Sequence, residues 1–130
     1  MNWINNNSIL LTQRTLDLTW ERQRLALDNI ANVDTPGFKA RFALFEDELR
    51  GRLERLNNRG DARRSEIRDA IMDTRVQIRR SEDESHRADG NNVNLDIEQL
   101  EVVRNALHYQ FALRQISDQF ARLRTAIEGR

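Results

Sequence analysis

The residues best suited to chemistry lie in an acidic stretch ahead of the last long helical pattern. Glu82, Asp83, Glu84, His86 and Asp89 are close enough along the chain to suggest a metal-binding loop. A calcium loop starting at Asp89 would need an oxygen ligand at position 93 and glycine at position 94, but valine and asparagine stand there. A solvated acidic run is therefore the better interpretation.

No other pattern indicates catalysis. His86 and His108 are the only histidines, and they form no His-x-x-x-His pair or Cys/His cluster. His108 lies beside Tyr109 on a predicted helix, which favours a surface histidine over a catalytic base. Glycine-rich phosphate loops, Ser-His-Asp arrangements and carboxylate pairs in apolar pockets are not evident. We therefore predict no catalytic residue, no metal site, no cofactor and no small-molecule substrate.

Composition excludes several further classes of protein. The 130 residues favour one domain, and Lys plus Arg equals Asp plus Glu at 21 each, which argues against nucleic-acid binding. Absence of cysteine excludes disulfides and thiolate chemistry. The first eleven residues lack a basic region, so no cleavable secretory signal is predicted, and no apolar stretch approaches a membrane span.

Two long stretches carry the helical repeat on which any functional surface must lie. The first runs from about Ile9 to Ile30, and the second begins at the N-cap Asn94 and ends near Glu128. We predict an all-α fold in which these helices pack as an antiparallel, coiled-coil-like pair, with a short middle helix and a partly ordered loop between them. The residues predicted for this intrachain packing are Leu16, Trp20, Leu27, Val102, Ala106, Tyr109, Leu113, Ile116, Phe120, Leu123 and Ile127.

Each long helix also carries a second apolar stripe. The second helix would be about 50 Å long at about 1.5 Å per residue and would protrude from a compact domain of this size. Extra stripes and excess length together predict contacts with other copies of the chain. The predicted assembly interface comprises Leu11, Leu18, Leu25, Leu100, Val103, Leu107 and Phe111.

The middle of the chain is less regular. Apolar spacing from Phe42 to Leu56 predicts a short helix that stops at residues 57–60, and residues 61–92 are predicted to form a partly ordered loop. Charge is segregated there, with seven Arg against four acids over 59–80 and four acids against Arg87 over 81–89. The predicted organisation is an N-terminal assembly helix (1–31), a middle segment (32–93) and a C-terminal assembly helix (94–130).

A sharp turn follows the first helix. Asn32 suits a helix end, and Pro36, the only proline, biases Thr35 away from helical geometry. Gly37 can supply the positive φ of a type II turn.

Residues 29–39, reading NIANVDTPGFK, resemble the signature of bacterial flagellar rod and hook proteins. Residues 89–98, 107–110 and 126–130 are similar to the proximal rod members of that family. Asn94 stands where the family usually has Asp, and Phe38 where Tyr is commoner. The signature residues taken as the candidate site are Asn29, Ile30, Ala31, Asn32, Asp34, Thr35, Pro36, Gly37, Phe38 and Lys39.

This resemblance implies a structural subunit of the flagellar basal body that polymerises into the proximal rod around the export channel. Such subunits would leave the cytosol through the flagellar type III apparatus without signal cleavage and reach the periplasmic rod. The implied partners are copies of the same chain, the rod proteins FlgC, FlgF and FlgG, the rod-base adaptor FliE and the MS-ring protein FliF.

Two other classes are weighed against this one. A cytosolic coiled-coil adaptor or secretion chaperone would explain the heptads but not the signature at 29–39. A small helical enzyme using a carboxylate or His86 would need a pocket that the sequence does not indicate. Cellular location separates the adaptor from the rod subunit.

Overall fold

The computed structural model describes residues 7–85 and 87–129. Two long helices, one near each end of the chain, flank a smaller middle region of helices and strands in the sequence. The elements in chain order are α1 (Asn7–Ala31), β1 (Arg41–Leu44), α2 (Glu46–Asn57), α3 (Arg64–Asp73), β2 (Gln77–Arg80) and α4 (Leu95–Glu128).

The predicted ends of the long helices are confirmed. The side chain of Asn94 accepts hydrogen bonds from the N–H groups of Asp96 and Ile97 at 3.0 and 3.3 Å, as an N-cap should. Gly37 has a φ of +72°, which fits the turn predicted after α1. Helix α4 therefore begins after its predicted N-cap and α1 ends at Ala31, close to the predicted stop, whereas α1 begins at Asn7, two residues before the predicted start.

The chain is mostly helical, as predicted, but it is not all-α, because β1 and β2 form an antiparallel pair. Arg41 lies opposite Arg80, and Leu44 lies opposite Gln77. Phe42 belongs to β1 and not to the middle helix, which begins at Glu46. The segment 61–92, predicted as a partly ordered loop, contains α3 and β2. Strand β2 was not predicted because a four-residue strand is too short to show a period and depends on a partner distant in sequence.

The long helices run in opposite directions. Asn29, near the end of α1, donates a hydrogen bond to Glu98, near the start of α4, at 3.0 Å. Gln119, far along α4, donates to the hydroxyl of Ser8 at 2.8 Å. These two contacts lie at opposite ends of the same helix–helix interface.

Small and polar side chains form that interface. Buried residues recur every seven positions on each helix, and together they are called the seam: Thr12, Thr19, Ala26, Asn105 and Ala112. The hydroxyl of Thr19 is satisfied by the carbonyl of Thr15, 2.7 Å away within the same helix. Because the distance between helix axes depends on the side chains at the contact, this seam permits close packing.

The apolar core lies on a different face of α1. Leu18 and Leu25 pack with residues of β1, α2 and α3, namely Ala43, Phe45, Leu49 and Ile71. The predicted assembly role of Leu18 and Leu25 was therefore wrong, since the chain's own middle segment covers them. Each precedes a seam residue by one position, a rotation of about 100°, so α1 buries two adjacent faces.

Most residues predicted to join the two helices are instead exposed. Trp20 and Phe120 retain 60% and 56% of their accessible surface. Trp20 follows the seam residue Thr19 by one position. Phe120 follows Gln119, which lies seven residues after Ala112, so both aromatic side chains lie beside the helix–helix contact. This correction covers Trp20, Leu27, Ala106, Tyr109, Leu113, Phe120 and Ile127, whereas Leu16, Val102, Ile116 and Leu123 are partly buried.

Two leucines on α1 test this arrangement. Leu25→Ala should lower the free energy of unfolding by about 2–5 kcal/mol, because its side chain is 1% exposed and truncation leaves a cavity. Leu27→Ala, the matched control at 51% exposure, should change it by less than about 1 kcal/mol. Urea unfolding of the purified chain measures both, and equal losses would contradict the assigned faces.

Candidate assembly interface

The turn after α1 and the loop before α4 lock together. The N–H of Gly37 donates to the carbonyl of Asp89 at 2.8 Å, and the N–H of Asn92 donates to the carbonyl of Phe38 at 3.3 Å. At Gly90 an added Cβ would lie 3.8 Å from the Cα of Gly37, so the two backbones are close. These segments, 32–40, 85 and 87–93, are called the junction, and they include parts of the stretches 29–39 and 89–98 that carry the family resemblance.

Asn91 is the centre of the junction. Its side-chain amide donates to the carbonyls of Asn32, Val33 and Thr35 at 2.9, 3.0 and 2.9 Å. Its side-chain oxygen accepts from the N–H of Val93 at 2.8 Å. These carbonyls belong to the turn after α1 and each also accepts a second hydrogen bond, so this fully buried amide joins three turn carbonyls to the loop before α4.

Asn29 connects α1, β1 and α4. Its side-chain oxygen accepts from the N–H of Arg41 at 2.9 Å, while its amide donates to the carbonyl of Arg41 at 2.8 Å and to Glu98 at 3.0 Å. The first two bonds close the outer edge of β1 as an additional strand would. Asp28 beside it forms an ion pair with the guanidinium of Arg41.

Glu98, which belongs to this cluster, has a raised pKa. Burial raises the pKa of the Glu98 carboxyl, the hydrogen bond from Asn29 opposes that shift, and the charge of Glu101 adds to it. The ionised carboxylate is thus held against α1 at some cost in stability.

The signature residues occupy different environments. Asn29 is buried, whereas Ile30, Asn32, Phe38 and Lys39 are partly buried. Ala31, Asp34, Thr35, Pro36 and Gly37 lie at the exposed end of the junction. The sequence pattern indicated the turn but not its partner, and Asn91 was missed as a functional residue. Its position in an Asp-Gly-Asn-Asn cluster was the available signal, since asparagine side chains often bind turn backbone.

Two exposed apolar surfaces remain on the helix pair. Because the helices run in opposite directions, the residues that follow the seam by one position lie on the same side of the pair, away from the core. This free face comprises Trp20, Leu27, Ala106, Leu113 and Phe120. The outer stripe of α4 comprises Leu100, Val103, Leu107 and Phe111, which are 49–64% exposed.

Residues 7–85 and 87–129 contain no cluster of three His, Cys, Asp or Glu side chains able to hold a metal ion. His86, considered above as a ligand or base, lies outside the described residues. A cleft of about 550 Å³ lies between α4, β1 and the loop residues Ser81, Asp83, Asn92 and Asn94. Its lining also includes Arg22, Glu98, Arg104 and His108. Within the same ranges, no helix has the length and apolar character needed to cross a membrane.

A long helix pair with a folded middle segment on one side and apolar surfaces left uncovered is typical of a structural subunit that completes its packing in an assembly. Three flagellar basal body rod proteins named FlgB are similar in sequence. The Bacillus subtilis protein is 33% identical over 111 residues, covering 83% of each chain. The Cereibacter sphaeroides protein is 34% identical over 119 residues, covering 89% of this chain and 90% of its own.

The Escherichia coli K12 protein is 29% identical over 130 residues, covering 90% of each chain. No protein-family model matches the sequence. The chain belongs to the FlgB family of flagellar basal body rod proteins, as the relatives above 30% identity and their coverage show.

The junction can be tested at its central amide. Asn91→Asp at neutral pH places an acceptor-only carboxylate against three carbonyls, so we expect a loss of about 3 kcal/mol or more in the free energy of unfolding. Amide exchange over residues 32–40 should also become faster. Asn94→Asp keeps an N-cap acceptor and should be nearly neutral. Unchanged exchange in the Asn91 variant would contradict the central role of this amide.

Glu98 gives the junction a testable pH dependence. Its pKa is raised above the ordinary 4.5, so its contribution to stability is present below pH 4.5 and is lost as pH rises through the folded-state value. Glu98→Gln keeps an acceptor for Asn29 without the charge. The variant should be more stable than the native chain at pH 7, and the difference should vanish at acid pH. Exposed Glu54→Gln is the control, and a less stable Glu98 variant at pH 7 would contradict the assignment.

Proposed function

We propose that the chain is a structural subunit of the flagellar basal body that polymerises into the proximal rod around the export channel and catalyses no reaction. The exposure of apolar side chains on both long helices carries this proposal. The membership of the FlgB family, over more than four-fifths of the chain, supplies its cellular context.

A helical polymer needs two different surfaces on each subunit, so that one copy can bind the next without closing into a pair. The free face and the outer stripe meet this requirement. The free face lies on the side away from the core, and the outer stripe lies on the side of α4 that faces away from α1. Leu11, which is 40% exposed, also stays within the proposed interface.

The three segments of the chain would have different roles in the rod. We assign residues 1–31 and 94–130 to the inner tube as an antiparallel, coiled-coil-like pair built on the small-residue seam. Residues 32–93 would face outward or toward neighbouring rod proteins. Neighbours would be further copies, then FlgC, FlgF and FlgG, with FliE and FliF at the rod base. Export through the type III apparatus without signal cleavage would bring the subunit to the periplasmic rod.

The outer stripe provides the test of assembly. Leu107→Asp places a charge on an exposed position, so the subunit should fold and accumulate normally but fail to join the rod, because burying an unpaired charge against a neighbour is costly. The assay is swimming motility, together with the amount of the chain in purified basal bodies, in a flagellated bacterium lacking its own FlgB.

Gln115→Asp is the matched control, since Gln115 is exposed on the same helix at a heptad position that neither the outer stripe nor the free face occupies. It should retain motility. Full motility of the Leu107 variant would show that the stripe is not an assembly surface, and absence of the unaltered chain from basal bodies would overturn the proposed function itself.

A further inference from the structure

Strand β2 has an open edge. The N–H of Ser81 donates to the carbonyl of Ala40 at 2.7 Å, and the alternation of an antiparallel pair then directs the backbone groups of Ile78 and Arg80 away from β1. All four residues of β2 are exposed. In the part of the chain that the structure describes, these outward groups have no hydrogen-bond partner. The outer edge of β1, in contrast, is closed by Asn29.

The open edge continues beyond β2. The side chain of Asn92 accepts from the N–H of Ala40 at 2.8 Å and donates to the carbonyl of Asp83 at 3.1 Å. The carbonyl of Asp83 therefore points toward β1, as the N–H of Ser81 does. Ser81 holds this extension locally, since its hydroxyl accepts from the N–H of Asp83 and donates to the Asp83 carboxylate. The backbone groups of Glu82 have no hydrogen-bond partner among the described residues, so the unpaired edge extends from residue 78 to residue 82.

The charges along this edge are arranged so that one copy of the edge is complementary to a second, antiparallel copy. Arg79 and Arg80 precede Ser81, and Glu82 and Asp83 follow it. Within residues 7–85 and 87–129 none of these four charged side chains forms an ion pair. Among the described residues Arg80 and Glu82, two positions apart, do not pair with each other, so a second strand can offer each of them an opposite charge.

Two antiparallel copies crossing at Ser81 match this pattern. Arg79 of each copy would lie opposite Asp83 of the other, and Arg80 opposite Glu82, so four opposite-charge pairs form. The same register sets the outward backbone groups of Arg80 against those of Glu82, which is what a hydrogen-bonded pair requires. Charge and hydrogen-bond direction thus select one register.

We propose that two free copies of the chain pair through the edge formed by residues 78–83, about a two-fold axis at Ser81. A two-fold contact uses the same surface on both copies and closes on itself, so it cannot repeat along a rod that grows in one direction. The pair is therefore a state of subunits before assembly, and it covers a strand edge that would otherwise promote unspecific pairing. Only this timing rests on the proposed function.

Disulfide trapping tests the register, since the chain has no cysteine. Concentrated full-length Arg79→Cys is mixed with full-length Asp83→Cys, carrying a different tag, under mild oxidation. Residues opposite each other in a non-hydrogen-bonded pair are close enough for a disulfide. The yield of disulfide-linked heterodimer should be at least about tenfold higher than in a control in which Glu54→Cys, at an exposed position, replaces Asp83→Cys. Equal yields would overturn the proposed pairing.

Charge reversal tests the pairing without a crosslink. Arg79→Glu with Arg80→Glu gives an all-acidic edge, and Glu82→Arg with Asp83→Arg gives an all-basic edge. Sedimentation should show self-association weakened at least about tenfold in each double variant alone and restored when the two are mixed. Circular dichroism verifies that both are folded. A mixture that associates no better than its components would overturn the proposal.

Motility separates this inference from the rod function. The all-acidic variant should still support swimming, because the pair belongs to free subunits. If it abolishes swimming, the restriction of the pair to free subunits is wrong. If instead the unaltered chain is missing from basal bodies while the trapped heterodimer forms, the rod function fails and the pairing stands.

Discussion

The buried amide of Asn29 fixes the relation of three elements. It both accepts from and donates to the backbone of Arg41 and also donates to Glu98, so α1, β1 and α4 meet at one side chain. A leucine at this place would leave the edge of β1 unpaired, and an aspartate could accept but not donate. The orientation of the long helices relative to the middle segment depends on this group, and Asn91 extends the same arrangement into the following turn.

Given that arrangement, α1 buries two adjacent faces and leaves the others uncovered. One face packs against α4 through the seam, and the adjacent face holds the core through Leu18 and Leu25. What remains uncovered is the free face and the outer stripe of α4. Apolar surface removed from water contributes roughly 25 cal/mol per Å², so these two surfaces are the main source of favourable free energy available to an assembly. The fold therefore accounts for a subunit that is complete in the middle and incomplete along its helices.

Sequence reasoning identified the faces of the helices but not what covers each of them. Local signals were sufficient for the ends of α1 and α4, because Asn94 and Gly37 act on their immediate neighbours. Seven-residue spacing showed that Leu18 and Leu25 share a face, yet nothing local says that β1, α2 and α3 cover it. The seam was not predicted because threonine, alanine and asparagine do not produce the repeat of large apolar residues by which a packed helix face is recognised. Strands β1 and β2 and the bonds of Asn91 depend on contacts distant in sequence, which periodicity does not report.

The central claim is that the surfaces left open on the helix pair are closed by neighbouring subunits in the rod. Electron cryomicroscopy of an intact basal body, at a resolution that shows side chains in this subunit, tests it directly. The account predicts that Trp20, Leu113, Leu107 and Phe111 are buried against other subunits while Leu18 and Leu25 stay buried within the chain. A map in which the free face and the outer stripe remain in contact with solvent would contradict it.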